Sequence, residues 1–203
     1  TSRDLNADKK LNYGLYHPNV EFVEINPMIL TDLVSLMVNY QPSYIFNLTA
    51  QSSVGRSFDQ PYETFQSCIL PNLNILEAIR NTSDEIKYFH AASGDCFGGN
   101  KYEGNCILPP TKSLSPYASA KIAASEIVNQ YKQQYDICSI NGYLHNHESV
   151  HRGKKFVLPK IFKAAINISK GSREKLKLGN LEIIRDWGCA QEYMDGILKY
   201  IIS

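Results

Sequence analysis

Short apolar runs alternate along this chain with stretches of helical periodicity, and no other feature restricts the fold as much. Clusters of β-branched and aromatic residues at positions 20–25, 44–48, 86–91 and 137–144 are bounded by Pro, Asn, Asp or Gly, as buried strands are. Between them, Leu30-Thr31-Asp32 opens a pattern with Leu33, Leu36, Met37 and Tyr40 on one face. Residues 67–80 carry Ile69, Leu73, Leu76 and Ile79 at helical spacing, and residues 115–135 carry Ile122, Ile127 and Tyr131. Strand and helix at this spacing build βαβ units, which predicts an α/β fold with a mostly parallel, doubly wound sheet and helices on both faces. Pro71 lies inside the second helical pattern and is expected to kink or delay it.

In parallel α/β sheets ligands sit outside the carboxyl ends of the strands. Three runs end in polar or small residues: NLTAQSS, AASGDCFG and HNHES. This predicts one rim carrying Gln51, Ser52, Ser93, Asp95, Asn146, His147 and Glu148. Beyond Leu144 the chain turns polar and basic (HNHESVHRGKK), which points to a ligand-facing loop.

Composition narrows the partners. The 203 residues, 43% hydrophobic and 20% charged, are those of a soluble globular chain. With 21 basic and 20 acidic residues spread along the sequence, no patch argues for nucleic acid. Cys68, Cys96, Cys106, Cys138 and Cys189 form no CxxC pair, which fits a reducing compartment, so a cytoplasmic location is expected. No apolar run approaches the roughly 18 residues that cross a bilayer, so no membrane partner is expected. His145, His147 and His151 form an H-x-H-x3-H series, but no cysteine or distant carboxylate joins it, and no metal site is expected.

The chemistry centres on SPYASAK. Ser115 suits a helix N-cap and Pro116 the first helical turn, so Tyr117 and Lys121 stand one turn apart on one helix face. An ammonium beside a phenol favours the phenolate and is expected to bring the tyrosine below its ordinary pKa of about 10. On this spacing alone, an amphipathic surface pair remains an open alternative.

Ser93, at a strand end, precedes Tyr117 by twenty-four positions, a layout that resembles the extended short-chain dehydrogenase/reductase family. Longer segments are more specific. AQSSVGRSFDQP resembles AQSxVxxSF of the GDP-mannose 4,6-dehydratases, LHNHESVHRG resembles their FNHESPRRG, and LGNLEIIRDWGCAQEYMDGI resembles their LGNLxxxRDWGxAxDYVxAM. The resemblance is nearly colinear over residues 44–202.

That resemblance implies an NADP-dependent conversion of GDP-mannose to its 4-keto-6-deoxy sugar, a lyase reaction run by internal hydride transfer. It implies Tyr117 as the oxidation base and Lys121 as its electrostatic partner and ribose ligand. The family stretch STSE is replaced by Ser93, Gly94 and Asp95, so Ser93 is implied as the group that hydrogen-bonds the 4-oxygen and Asp95 as the elimination base. Shortening Glu to Asp retracts the carboxylate, and misplacement by about 1 Å can cost around a hundredfold in rate. Arg3, Leu48, Ala50, Gln51, Ser52, His147 and Arg152 are implied as cofactor contacts, and Asn146, Lys160 and Arg185 as contacts to the GDP-sugar. Implied with them are a homo-oligomeric full-length protein and a Rossmann-like domain over residues 1–144, followed by part of a smaller substrate-binding region over 145–203.

The glycine-rich turn that cradles a pyrophosphate at a helix N-terminus has no counterpart here. Gly98, Gly99 and Gly104 follow the catalytic run and open no helix. The sheet is therefore expected to lack its first strand and helix, which would precede Thr1. A non-catalytic fragment or relic of the fold, and an NADP-dependent epimerase or reductase of nucleotide sugars, remain alternatives.

Overall fold

Three of the four apolar runs pair as one parallel sheet. The computed structural model describes residues 20–83, 85–98, 113–154, 156–179, 181–182 and 184–202. Strand β1 (Tyr44–Asn47) pairs with β2 (Lys87–Ser93), and β2 pairs on its other edge with β3 (Ser139–Leu144), giving the order β1-β2-β3. The fourth run, residues 20–25, is not a strand. Strand propensity is not enough where no neighbour supplies a ladder: no described strand pairs with it, and Val20 is exposed.

Helices α1 (Leu30–Tyr40), α2 (Val54–Asp59), α3 (Pro61–Thr82) and α4 (Pro116–Tyr135) connect and cover the strands. Leu33 and Met37 of α1, Ile75, Leu76 and Ile79 of α3, Tyr88 of β2 and Val128 of α4 close into one apolar core. Helix α3 begins at Pro61, six residues before the apolar periodicity does, because Pro61 fixes the first-turn backbone without leaving an N–H orphaned. It then runs through Pro71 without a break, contrary to the sequence expectation. Pro71 cannot bond the Ser67 carbonyl, and packing of its neighbours against α1 and α4 keeps the path helical.

The carboxyl end of β1 is fixed by a buried polar network. Asn47 donates through Nδ2 to Asn72 Oδ1 (3.1 Å) and to the Tyr88 hydroxyl (2.9 Å), while Tyr88 donates to the same Asn72 oxygen (2.5 Å). Asn72 Nδ2 reaches the Cys68 carbonyl (2.6 Å), and Asn47 Oδ1 accepts from the Thr49 N–H (3.0 Å) and hydroxyl (2.6 Å). Polar groups without access to water are costly unless paired, so this closed set specifies one arrangement of β1, β2 and α3 and one exit path for residues 48–53.

After Leu144 the chain enters a second compact unit, His145–Ser203. The HNHES segment, expected as a loop, is strand β4 (Asn146–Glu148), paired in parallel with β5 (Trp187–Cys189). Helix α5 (Val157–Ser169) lies between these strands in sequence, and α6 (Ala190–Ile202) follows β5 directly. No helix among the described residues is long and apolar enough to cross a membrane.

Two outcomes follow from the packing of β2. A Cβ on Gly142 would come within 2.4 Å of Phe89 Cζ, and Phe89 is itself buried. Gly142→Ala should therefore lower stability by about 1–3 kcal/mol in urea unfolding; an unchanged midpoint would show that the Phe89 ring is not held there. His90 is fully buried, with no hydrogen-bond partner among the described residues for either ring nitrogen, and burial together with the nearby Lys121 charge pulls its pKa down to about 3. Because the folded-state value is depressed, stability is complete above the ordinary 6.5 and drains away as pH falls towards 3, by an amount on the order of a few kcal/mol. His90→Gln should flatten the stability profile between pH 6 and about 4, and parallel profiles for the two proteins would contradict it.

Candidate active site

Helix α4 starts as its sequence dictates. The Ser115 hydroxyl accepts from the Ala118 N–H (3.1 Å), and Pro116 occupies the first turn. This aims Tyr117 and Lys121 inward from the same face, so both are buried, 7% and 4% exposed, rather than forming a surface pair. Lys121 Nζ donates to the Ala91 carbonyl of β2 at 2.7 Å. Tyr117 packs with Cys68 and Ala120, and Ala50 and Val54 lie against that cluster. Helix α4 and the loop after β1 therefore meet.

Ser93 closes β2 and caps the 3₁₀ turn Gly94–Phe97, its hydroxyl accepting from the Asp95 N–H at 3.2 Å. The turn ends at Gly98, whose left-handed backbone (φ 61°) suits glycine and whose N–H reaches the Asp95 carbonyl (3.3 Å). Asp95 is half-buried. The Ser93 side chain is hydrogen-bonded to the Tyr117 phenol, and the Asp95 carboxylate is close enough to act on it. The four residues singled out as catalytic, Ser93, Asp95, Tyr117 and Lys121, are thus brought together.

Their electrostatics differ from the sequence expectation. Burial pushes the Tyr117 phenol up to about 12, against the lowering effect of Ser93 and with help from Cys68, Asp95 and Cys96. The expected drop below 10 does not occur, because removal from water outweighs any help from Lys121, whose ammonium is engaged with Ala91. Burial also lowers Lys121, while Cys68 and Cys96 oppose that shift. Both thiols are themselves pushed up by burial, Cys96 to about 11, so they are protonated neighbours rather than nucleophiles.

Ala50, which packs against the Tyr117 cluster, also lines a cavity of about 610 Å³ between residues 23–28 and 48–53, bounded further by Arg56, Ser67 and Pro71. Leu48, Ala50, Gln51 and Ser52 all line it. The Gln51 carboxamide is already engaged: Nε2 donates to the Ser53 carbonyl (2.9 Å) and Thr64 Oγ1 (3.1 Å), and Oε1 accepts from the Ser53 N–H. Gln51 therefore shapes the loop. Sequence reasoning missed the opposite wall; its only signal was the turn-forming Asn26-Pro27 pair closing an apolar run. The volume is in the range of small-molecule sites, and the polar lining is mixed: the hydroxyls of Thr49, Ser52, Ser53 and Ser67, the Arg56 guanidinium and the Glu24 carboxylate. Arg3, Gly99 and Gly104 lie outside the described residues.

The second unit holds the remaining predicted residues. His147 Nδ1 is 2.8 Å from the His145 carbonyl, and its ring stacks on Tyr193. Arg152 stands 3.5 Å from Glu148 Oε2 in an ion pair, with its guanidinium 3.6 Å above the Phe156 ring centroid. Asn146 pairs with Trp187 across the β4–β5 ladder, and Arg185 is exposed just before β5. Lys160, exposed on α5, lines a pocket of about 400 Å³ with Lys154, Lys163, Lys175 and Lys177, against a single carboxylate, Glu174. No group of three or more potential ligands among the described residues is placed to hold a metal ion.

Known proteins share both sequence and fold with this chain. The profile of the GDP-mannose 4,6 dehydratase family matches residues 4–202. A GDP-mannose 4,6-dehydratase of Sinorhizobium fredii is 40% identical over 169 residues, covering 82% of this chain and 48% of that protein. GDP-mannose 4,6 dehydratase 2 of Arabidopsis thaliana is 36% identical over 189 residues, covering 90% and 50%. The chain thus spans about half the length of the curated relatives it matches. Among solved structures, RMD from Pseudomonas aeruginosa complexed with NADPH superposes with a TM-score of 0.79 at 19% identity, covering 94% of this chain and 68% of that one. That likeness establishes the Rossmann-like α/β fold, and the sequence matches carry the closer assignment: the chain belongs to the GDP-mannose 4,6-dehydratase family.

Proposed function

We propose that the full-length protein is an NADP-dependent GDP-mannose 4,6-dehydratase, and that this chain supplies its acid–base residues. The observation that carries the reading is the carboxylate. Asp95 sits two residues beyond Ser93, in the turn that Ser93 caps, and close to Tyr117, and a simple reductase or epimerase has no use for a base there. The family to which the chain belongs supports the same reading.

A bound nicotinamide dinucleotide would take hydride from the sugar C4 and return it to C6, so that no cofactor is consumed. Tyr117, as phenolate, accepts the proton of the C4 hydroxyl, and Ser93 donates a hydrogen bond to the oxygen that becomes the ketone. Burial, which pushes the Tyr117 phenol up to about 12, favours its neutral form; positive charge brought into the site by the oxidised cofactor would favour the phenolate. Once C4 is a ketone, the C5 proton becomes acidic and Asp95 removes it. That proton and the C6 hydroxyl leave as water, and the proton held by Tyr117 returns to C5. The lysine-rich pocket around Lys160 supports a role for the second unit in holding a nucleoside diphosphate.

In the full-length protein Asp95→Asn should lower dehydration about a hundredfold or more while leaving oxidation intact. On mixing with GDP-mannose it should accumulate NADPH or a 4-keto-hexose. Tyr117→Phe should suppress both steps, and Asp95→Glu should raise turnover by restoring reach. Normal turnover by Asp95→Asn would reduce the carboxylate to a turn residue and remove the dehydratase assignment.

A further inference from the structure

His147 is held on three sides by its own unit. In the parallel β4–β5 ladder its register partner is Gly188. That position has no side chain, and a Cβ there would come within 2.4 Å of Tyr193 Cε2, so the absence of one lets the Tyr193 ring fold back from α6 across the strand. The ring then lies on the His147 imidazole with centroids 4.9 Å apart and planes 25° from parallel. At the imidazole edge, Nδ1 is 2.8 Å from the His145 carbonyl. A carbonyl only accepts, so Nδ1 carries the proton, and in the neutral ring Nε2 is left with its lone pair. Stacking fixes the plane of the ring, and the carbonyl fixes its tautomer.

We propose that Tyr193, seated on Gly188, is a positioning residue that presents His147 Nε2 as a fixed acceptor to a hydroxyl or amide N–H of the dinucleotide cofactor. The proposal rests on the reading of His147 as a cofactor contact. Burial, with Asp186 nearby, raises the Tyr193 phenol, so the stacking ring is neutral through the physiological range. The interaction is one of ring faces, and the hydroxyl is dispensable to it. Residues that orient a metal-ligating histidine typically change affinity by about 10–100-fold when removed, and the lower end of that range is the expected scale for a hydrogen-bonding histidine.

The test uses the full-length protein, NADPH titrated by fluorescence, and ¹⁵N spectra of labelled histidine to read the His147 tautomer. Tyr193→Phe should keep the Nδ1–H tautomer and bind NADPH within about twofold of the unaltered protein, whereas Tyr193→Leu and Gly188→Ala should mix the tautomers and weaken binding about tenfold. Because Gly188→Ala acts by displacing the Tyr193 ring, it should cost little further in the Tyr193→Leu background. A full additional loss there would mean that Gly188→Ala damages the strand itself, which overturns the seat. An unaltered tautomer and affinity in Tyr193→Leu would overturn the positioning role while leaving His147 as a ligand. If His147→Ala binds NADPH normally, the underlying reading of His147 fails, and the proposal with it.

Discussion

The bond from Lys121 Nζ to the Ala91 carbonyl, 2.7 Å long, is the constraint from which the rest of the first unit follows. An ammonium that is 4% exposed has lost nearly all of its water, and among the described residues a backbone carbonyl, not a carboxylate, is its hydrogen-bond partner. A buried charge is tolerated only when it is held by good partners, so helix α4 cannot slide or rotate against β2 without stranding it. Tyr117, one turn earlier, is thereby fixed beside Ser93, and Ser93 in turn caps the turn that carries Asp95. The same charge helps to keep buried His90 neutral. A single hydrogen bond therefore orders the group of Ser93, Asp95 and Tyr117 around Lys121 and sets part of its electrostatics.

Local signals were the legible ones. The Ser115 cap, Pro116 and the spacing of Tyr117 and Lys121 were readable because each depends on contacts within one helical turn. Strands at residues 44–48, 86–91 and 137–144 were readable because their ends are punctuated. Residues 20–25 carry the same pattern and form no strand, since a strand exists only with a partner. Asn72, in the middle of α3, carries no local signal, although its links to Asn47, Tyr88 and Cys68 fix the exit of β1. Pro71 misled in the other direction, because tertiary packing outweighed its local preference.

The sign of the Tyr117 shift is the instructive error in the site. Proximity of a lysine is visible in a sequence, whereas burial is a property of the assembled core, and here burial is the larger effect. For that reason the sequence pointed to the residues that gather at this site but not to the charge state in which Tyr117 is held. The partition between two units follows a related logic: each binds its own side chains tightly, Lys121 to Ala91 in the first and His147 to His145 and Tyr193 in the second. Preorganised groups lose little freedom when a ligand arrives.

The central claim is that the hydride removed from C4 is the one delivered to C6. It is tested most directly with GDP-mannose carrying deuterium at C4, converted by the full-length protein and read by NMR. The account predicts a 4-keto-6-deoxy product with the deuterium on its C6 methyl group and no net consumption of cofactor. Deuterium retained at C4 of a product, or transferred to free reduced cofactor without return, would contradict it.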